Sequence, residues 1–270
     1  MAVHELEHWY IRTKQYLQDA LDLVDLTYSG THILDTVPDL VRLLNEQRPD
    51  RDPDRAAADI AHAEHTAKLV SSARATDFAL LHAHTIMGVW GALEAGIEDL
   101  VVTWLADKPD LLAVGPLANQ KLVASLFESL PREERMRQLV TDWRRGKRFI
   151  GVTAFESVLE LIRLDGGVSE LVRSNLRLMQ QYRHLVAHRG GVADQRFVDI
   201  CPDLGYITGD VVRINRDQMG AMLLACTVYA AEVDDRVLRA LKLPAVERPI
   251  PTEWAAPGSN DQAMPQGDRS

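Results

Sequence analysis

The chain has only two cysteines in 270 residues, Cys201 and Cys226, too few for a disulfide framework or a zinc knuckle. Aromatic residues amount to 6%. Ala, Leu and Val carry the apolar load instead, which favours helices over β-sandwiches. No apolar run reaches the roughly 18 residues of a membrane span, and the longest candidate, residues 86–104, is interrupted by Glu94, Glu98 and Asp99. No membrane partner is therefore expected. The opening MAVHELEHWYIRTK lacks the apolar core of a secretory signal. There is no glycine-rich phosphate loop, no Gly-x-Ser-x-Gly elbow and no dinucleotide fingerprint, so no cofactor is expected. Cys201 has no histidine at a recognisable spacing to make it a nucleophile. Together these absences predict a soluble, cytoplasmic protein without thiol or nucleotide-cofactor chemistry.

What is present is ordinary globular material, 46% hydrophobic and 26% charged, long enough for a sizeable core. The net charge is −9, which argues against a wholly electrostatic nucleic-acid binder. The charge is unevenly spread. Residues 131–190 hold 12 Lys/Arg against 7 Asp/Glu, a balance of +5, and the remainder hold 18 against 32, a balance of −14. Such a segment either focuses a polyanion onto one cleft or is a helical face with more arginines than acids.

Helical periodicity runs almost throughout and predicts an all-α helical bundle. Helices are expected over 4–28 and 31–47, separated at Ser29-Gly30, and from Asp52-Pro53 to about Ala73. Asp77 is placed to cap a helix running to about Ala106. Further helices are expected over 117–129, 131–145 and 150–164. Ser169 is positioned to cap a long helix that ends at Gly190-Gly191, a pair suited to a left-handed cap. A small β-hairpin is expected before the last helix, pairing RFVDIC (196–201) with YITGDVVRI (206–214). The final helix spans about 215–242. The division is an N-terminal helical extension (1–76), a helical domain (77–243) and a proline-bearing tail (244–270) expected to be disordered.

Two groups of histidines invite a metal reading. His4-Glu5-Leu6-Glu7-His8 fits H-E-x-x-H, a zinc motif with Glu5 as base. A motif starting at residue 4 has nothing before it to bury it, so accidental spacing on an exposed first turn is the better account. A metal-dependent hydrolase built on His4 and His8 would be betrayed by sensitivity to chelators. His62, His65, His82 and His84 lack a cysteine or carboxylate cluster to complete a tetrahedral set, so they are expected at helix surfaces or interfaces. No metal site is expected.

The informative stretch is LRLMQQYRHLVAHRGGVADQRF, residues 176–197. Leu171, Leu178, Tyr182, Leu185 and Val186 are the expected buried stripe of its helix. Arg177, Gln181, His184 and His188 line one flank. Arg183 falls on the other flank, about 140° from His188. One helix cannot aim both at one point, whereas two copies about a two-fold axis can. A histidine near neutral pKa can take the proton from an RNA 2′-hydroxyl or protonate the leaving oxygen. A guanidinium can clamp the scissile phosphate. The competing account is that Arg183, His188 and Arg189 merely complement the carbonyls at the helix C-terminus.

These residues resemble the signature of the HEPN superfamily of α-helical proteins, Arg-x4–6-His with a polar residue after the arginine. Arg183, His184 and His188 occupy those positions, and the likeness continues through Gly190-Gly191, VADQRF, GDVVRI and the closing helix. TIMGVWGALEAGIEDLVVTW (85–104) looks like the family's first core helix, with Glu94, Glu98 and Asp99 at its acidic positions. The likeness spans about residues 77–242. It implies a homodimer with one composite cleft and a metal-independent endoribonuclease acting on RNA. A defence or toxin–antitoxin setting is implied too, with an antitoxin or regulatory partner. The alternative within the family is a catalytically silent dimerisation or nucleotide-binding module. Arg183, His184 and His188 are the candidate catalytic residues. Glu94 is a fourth, either orienting a motif histidine across the helix pair or simply solvated.

Overall fold

The structure, a computed structural model, describes residues 3–48, 50–118, 130–147 and 149–246, with backbone alone for 3–7. The described residues form an all-α bundle: α1 (Val3–Leu34), α2 (Val37–Glu46), α3 (Pro53–Ala75), α4 (Ala79–Asp107), α5 (Arg132–Arg144), α6 (Thr153–Leu159), α7 (Glu170–Arg189), α8 (Gln195–Ile200) and α9 (Arg216–Ala240). Helix α4 is apolar on several faces, burying Ile86, Val89, Trp90, Leu93, Ile97, Leu100, Val101 and Leu105. A helix of that kind belongs in the middle, and α1, α5, α6, α7 and α9 pack around it. An aromatic column ties three of these elements together. The Trp90 ring lies 4.8 Å from Phe155 on α6, which lies 5.7 Å from Tyr229 on α9. Helix α1 brings Trp9, Leu17 and Val24 into the same core. It comes close because α4 presents Gly96, where a Cβ would fall 2.4 Å from the Thr13 hydroxyl oxygen. Helices α2 and α3 pair with each other beside α1. No helix among the described residues is long and apolar enough to cross a membrane.

Several local expectations are corrected. The first break in the chain lies at Asp35-Thr36 rather than Ser29-Gly30, and α1 runs straight through Gly30. A single glycine costs a helix only about 1 kcal/mol. Pro38, by contrast, has no N–H to donate to the Leu34 carbonyl, and it starts α2 in its first turn. Asp77 does not cap α4. It and Phe78 both have φ of 50°, and the Asp77 carboxylate instead accepts the Arg216 backbone N–H at 2.9 Å, at the start of α9. The expected helix over 150–164 is shorter, closing with a 3-10 turn at Glu160–Ile162. Of the helix expected over 117–129, Leu117 closes a 3-10 turn (Gly115–Leu117), and residues 119–129, like the tail beyond 246, lie outside the described residues.

The expected β-hairpin is absent. Residues 195–200 are helix α8, started by Asp194, whose side chain accepts the Phe197 N–H at 2.9 Å, and anchored by buried Phe197. The segment at 209–212 pairs instead with the residues just after α7. Ala193 N–H donates to Asp210 O (2.8 Å), Gly209 N–H to Ala193 O (2.9 Å) and Val212 N–H to Gly191 O (2.8 Å), forming a single antiparallel bridge between Val192 and Val211. Capping by Asp194 outweighs the β preference of Val198 and Ile200.

Of the histidines expected at helix surfaces or interfaces, His82 lies at an interface, fully buried at 0% exposure, while His62, His65 and His84 are exposed. The His82 Nδ1 donates to the Ile214 carbonyl at 2.7 Å, because a carbonyl can only accept. Nε2 therefore carries the lone pair and accepts from the Tyr28 hydroxyl. The ring thus joins α1, α4 and the strap leading into α9. Burial holds its pKa below the ordinary 6.5, the Ile214 carbonyl and Asp77 pull it back up, and Arg216 pushes it down. With the folded value depressed, the unfolded chain takes up this proton first, so stability is retained above about pH 6.5 and lost below it. One proton gives a slope of at most about 1.4 kcal/mol per pH unit. Urea midpoints of wild type and His82→Gln at pH 7.5, 6.5 and 5.5 should converge toward acid. Parallel curves would show that His82 does not titrate in this way.

Candidate functional site

Helix α7 bears the motif, and its limits follow from its ends. The Ser169 side chain accepts the Val172 N–H at 3.3 Å, a cap worth about 1 kcal/mol. Gly190, at φ 61°, ends the helix, with its own amide and that of Gly191 both directed at the Leu185 carbonyl. Both ends match the expectation. The buried face is Val172, Leu176, Met179, Gln181, Tyr182 and Leu185. Leu171, expected in that stripe, is 66% exposed, and Gln181, expected on the flank, is buried. The buried stripe thus starts at Val172, one position later than expected, on a helix that packs against both α4 and α9.

The helix is also held from outside. Gly151, at φ 60°, packs so closely that a Cβ there would lie 2.8 Å from the Arg177 Cα. The Gly151 N–H donates to Gln180 Oε1 at 2.7 Å. Arg177 donates to the Ile200 carbonyl, which removes it from the list of free cations. Tyr182 lies 5.8 Å from Phe197, so α8 is packed directly on the motif helix.

On this fixed helix end, His184 is half-buried and His188 exposed, with ring centroids 5.0 Å apart. Arg183 is half-buried and makes no hydrogen bond or ion pair among the described residues. The pKa of His184 is lowered, first by burial, then by the Arg196 guanidinium and by His188, against an opposing pull from Asp194. Arg196 was missed in the sequence because its segment read as a strand. It stands in the first turn of α8, and the signal for it was Asp194 three residues before Phe197. Arg189 is 3.6 Å from Asp194, an exposed and weak pairing. The ensemble is a cationic, histidine-bearing surface made by the end of α7 and the start of α8.

Glu94 sits elsewhere in its bonding. It accepts from Arg144 of α5 at 2.7 Å and makes no hydrogen bond to a motif histidine among the described residues. Glu98 and Asp99 bind Arg137 at 3.2 and 2.8 Å, and Asp99 also takes Arg12 of α1 at 3.0 Å. The three acids of α4 thus staple α5 and α1. Their partners Arg137 and Arg144 belong to the basic middle segment, so part of its positive charge is neutralised internally. Cavities of about 370 Å³ (between α2 and α3) and 530 Å³ (around Trp143 and Phe149) are lined by other residues. On one chain, the motif is an open surface. Among the described residues no group of three or more His, Cys, Asp or Glu side chains is placed to hold a metal. The side chains of His4 and Glu5 lie outside the described residues. No family model, curated protein or solved structure matches this chain.

Proposed function

We propose that the protein is a metal-independent endoribonuclease of the HEPN type whose active site is completed by a second copy of the chain. The observation that carries this reading is the company kept at the end of α7: an unpaired guanidinium, Arg183, on the same helical turn as a histidine pair whose rings are 5.0 Å apart. A depressed His184 pKa keeps that ring neutral near pH 7, the form that accepts a proton from a 2′-hydroxyl. Arg183 supplies a fixed positive charge for the phosphate. Because Arg183 and His188 point about 140° apart, and because the surface is open to water, a two-fold partner provides both the missing group and the enclosure.

The direct test incubates wild-type and His188→Ala protein with total RNA in EDTA. Cleavage by wild type alone supports the reading. Wild type that binds RNA without cutting it would turn the conclusion to a silent interaction module, and activity abolished by EDTA would turn it to a metal-dependent hydrolase. Light scattering at micromolar concentration should report a dimer, and a monomer alone would remove the composite site.

A further inference from the structure

The H-E-x-x-H run at residues 4–8 is the conspicuous histidine pair in the sequence, yet the structure sets another i, i+4 pair in a better place. His184 and His188 stand one turn apart on a rigid helix whose ends are both capped and whose flank is pinned by Gly151 and Phe197. Two histidines four apart on one helical face are the chelating half of the helical zinc motifs. Metal–nitrogen bonds of about 2.0–2.1 Å with tetrahedral angles require ligating nitrogens about 3.3 Å apart. Imidazole nitrogens lie on the rim of each ring, so ring centroids 5.0 Å apart leave the two rings close enough for one nitrogen of each to reach that separation by rotation about the side-chain bonds.

We propose that His184 and His188 form a two-imidazole chelate for a divalent transition ion, with water filling its remaining positions. The donor set selects the ion. Neutral imidazoles favour Cu²⁺, Ni²⁺ and Zn²⁺ over Mg²⁺ and Ca²⁺, which prefer oxygen. Both rings must be unprotonated to bind, so uptake weakens as the solution is acidified, and binding releases whatever proton the pair carries. The neighbouring guanidiniums of Arg183, Arg189 and Arg196 repel a dication, so the site is one of modest affinity. The ion would take the same lone pairs that proton transfer needs. On the nuclease reading, therefore, it acts as an inhibitor, and EDTA relieves inhibition instead of causing it.

The test uses the full chain with His4 and His8 both changed to Gln, which removes the competing pair. The same background is compared with and without His188→Ala, a change at an exposed position. Isothermal titration with NiCl₂ and ZnCl₂ at pH 7.5, in buffer free of chelating groups, should give about one ion per chain, with affinity falling at least about tenfold in the His188→Ala form. In spectra of the ring protons, Ni²⁺ should broaden His184 and His188 ahead of His62, His65 and His84. Equal affinity with and without His188, or broadening that spares His184, would overturn the site. RNA cleavage is measured separately with Zn²⁺ and then EDTA. Metal bound at this pair without loss of cleavage would refute the inhibition while leaving the chelate standing. Failure of the nuclease reading would appear instead as no cleavage under any condition, with the titration unchanged.

Discussion

Replacing His188 by alanine is expected to lower RNA cleavage by about 10²- to 10⁴-fold, the range associated with loss of positioned acid–base work, without loss of the fold. His188 is exposed and its recorded ring contact is with His184, so truncation opens no cavity. Arg183→Lys should lose on the order of 10²-fold, because a point charge does not reproduce a planar fork on phosphate oxygens. The products should end in a 2′,3′-cyclic phosphate, since the nucleophile is the neighbouring hydroxyl. A substrate carrying a single 2′-deoxy sugar at the cut position should therefore survive at that bond. The measurement is a single-turnover gel assay on a synthetic RNA in EDTA, with circular dichroism on each variant. Rates that are the same in wild type and His188→Ala would remove the histidine from the chemistry and the nuclease reading with it.

The motif helix was legible because its signals are local. Ser169, the apolar repeat and Gly190-Gly191 all lie within one helix, and each acts on residues no more than about a turn away. Asp52 and Pro53 are legible at the start of α3 for the same reason. Where local signals competed, the wrong one was easier to see. Gly30 is a conspicuous breaker by propensity, but Pro38 removes a hydrogen bond outright, and the chain turns there. Phe197, Val198 and Ile200 read as a strand. A single carboxylate, Asp194, made the segment a helix and thereby carried Arg196 to the side of His184. Long-range pairings were not legible at all. His82 is buried because Tyr28 and Ile214, which lie 54 and 132 residues away in the chain, satisfy both of its nitrogens. Glu94 reads in the sequence as a residue that orients a motif histidine or is solvated, and neither reading names Arg144 of α5, whose guanidinium it accepts from. Composition and spacing carry no information about which distant partner will neutralise a charge.

The largest stability effect should come from a position outside the motif. Glu156 on α6 and Arg236 on α9 keep only 16% and 10% of their side-chain surfaces exposed. Arg236 Nη1 donates to both carboxylate oxygens at 2.9 Å. The Tyr229 hydroxyl donates to the same carboxylate at 2.7 Å, as does the Gly166 N–H. Arg236 also reaches the Leu164 and Gly167 carbonyls. Gly166 leaves room for the guanidinium: a Cβ there would lie 2.9 Å from the guanidinium carbon and would push the Arg236 head aside. Burial first, and then the negative charge of Glu156, pushes the Tyr229 pKa well above its ordinary value, so the phenol stays a donor. Glu156→Ala would strand a buried cation and a buried hydroxyl, at a cost of about 3–5 kcal/mol. Replacing both partners by apolar groups of similar size should recover most of that loss, because nothing charged is then left unpaired. Urea midpoints for Glu156→Met, Arg236→Met and the Glu156→Met/Arg236→Met pair complete the cycle, with Glu156→Ala measured beside them. A Glu156→Ala shift no larger than the roughly 0.5 kcal/mol of an exposed ion pair would mean that the network contributes no more than surface charges do. The staple holds the entry of α7, and His188 lies at the other end of that helix, about 28 Å away at 1.5 Å per residue. RNA cleavage per folded molecule should therefore stay at the wild-type rate at low temperature, separating the residues that hold this fold together from the residues that use it.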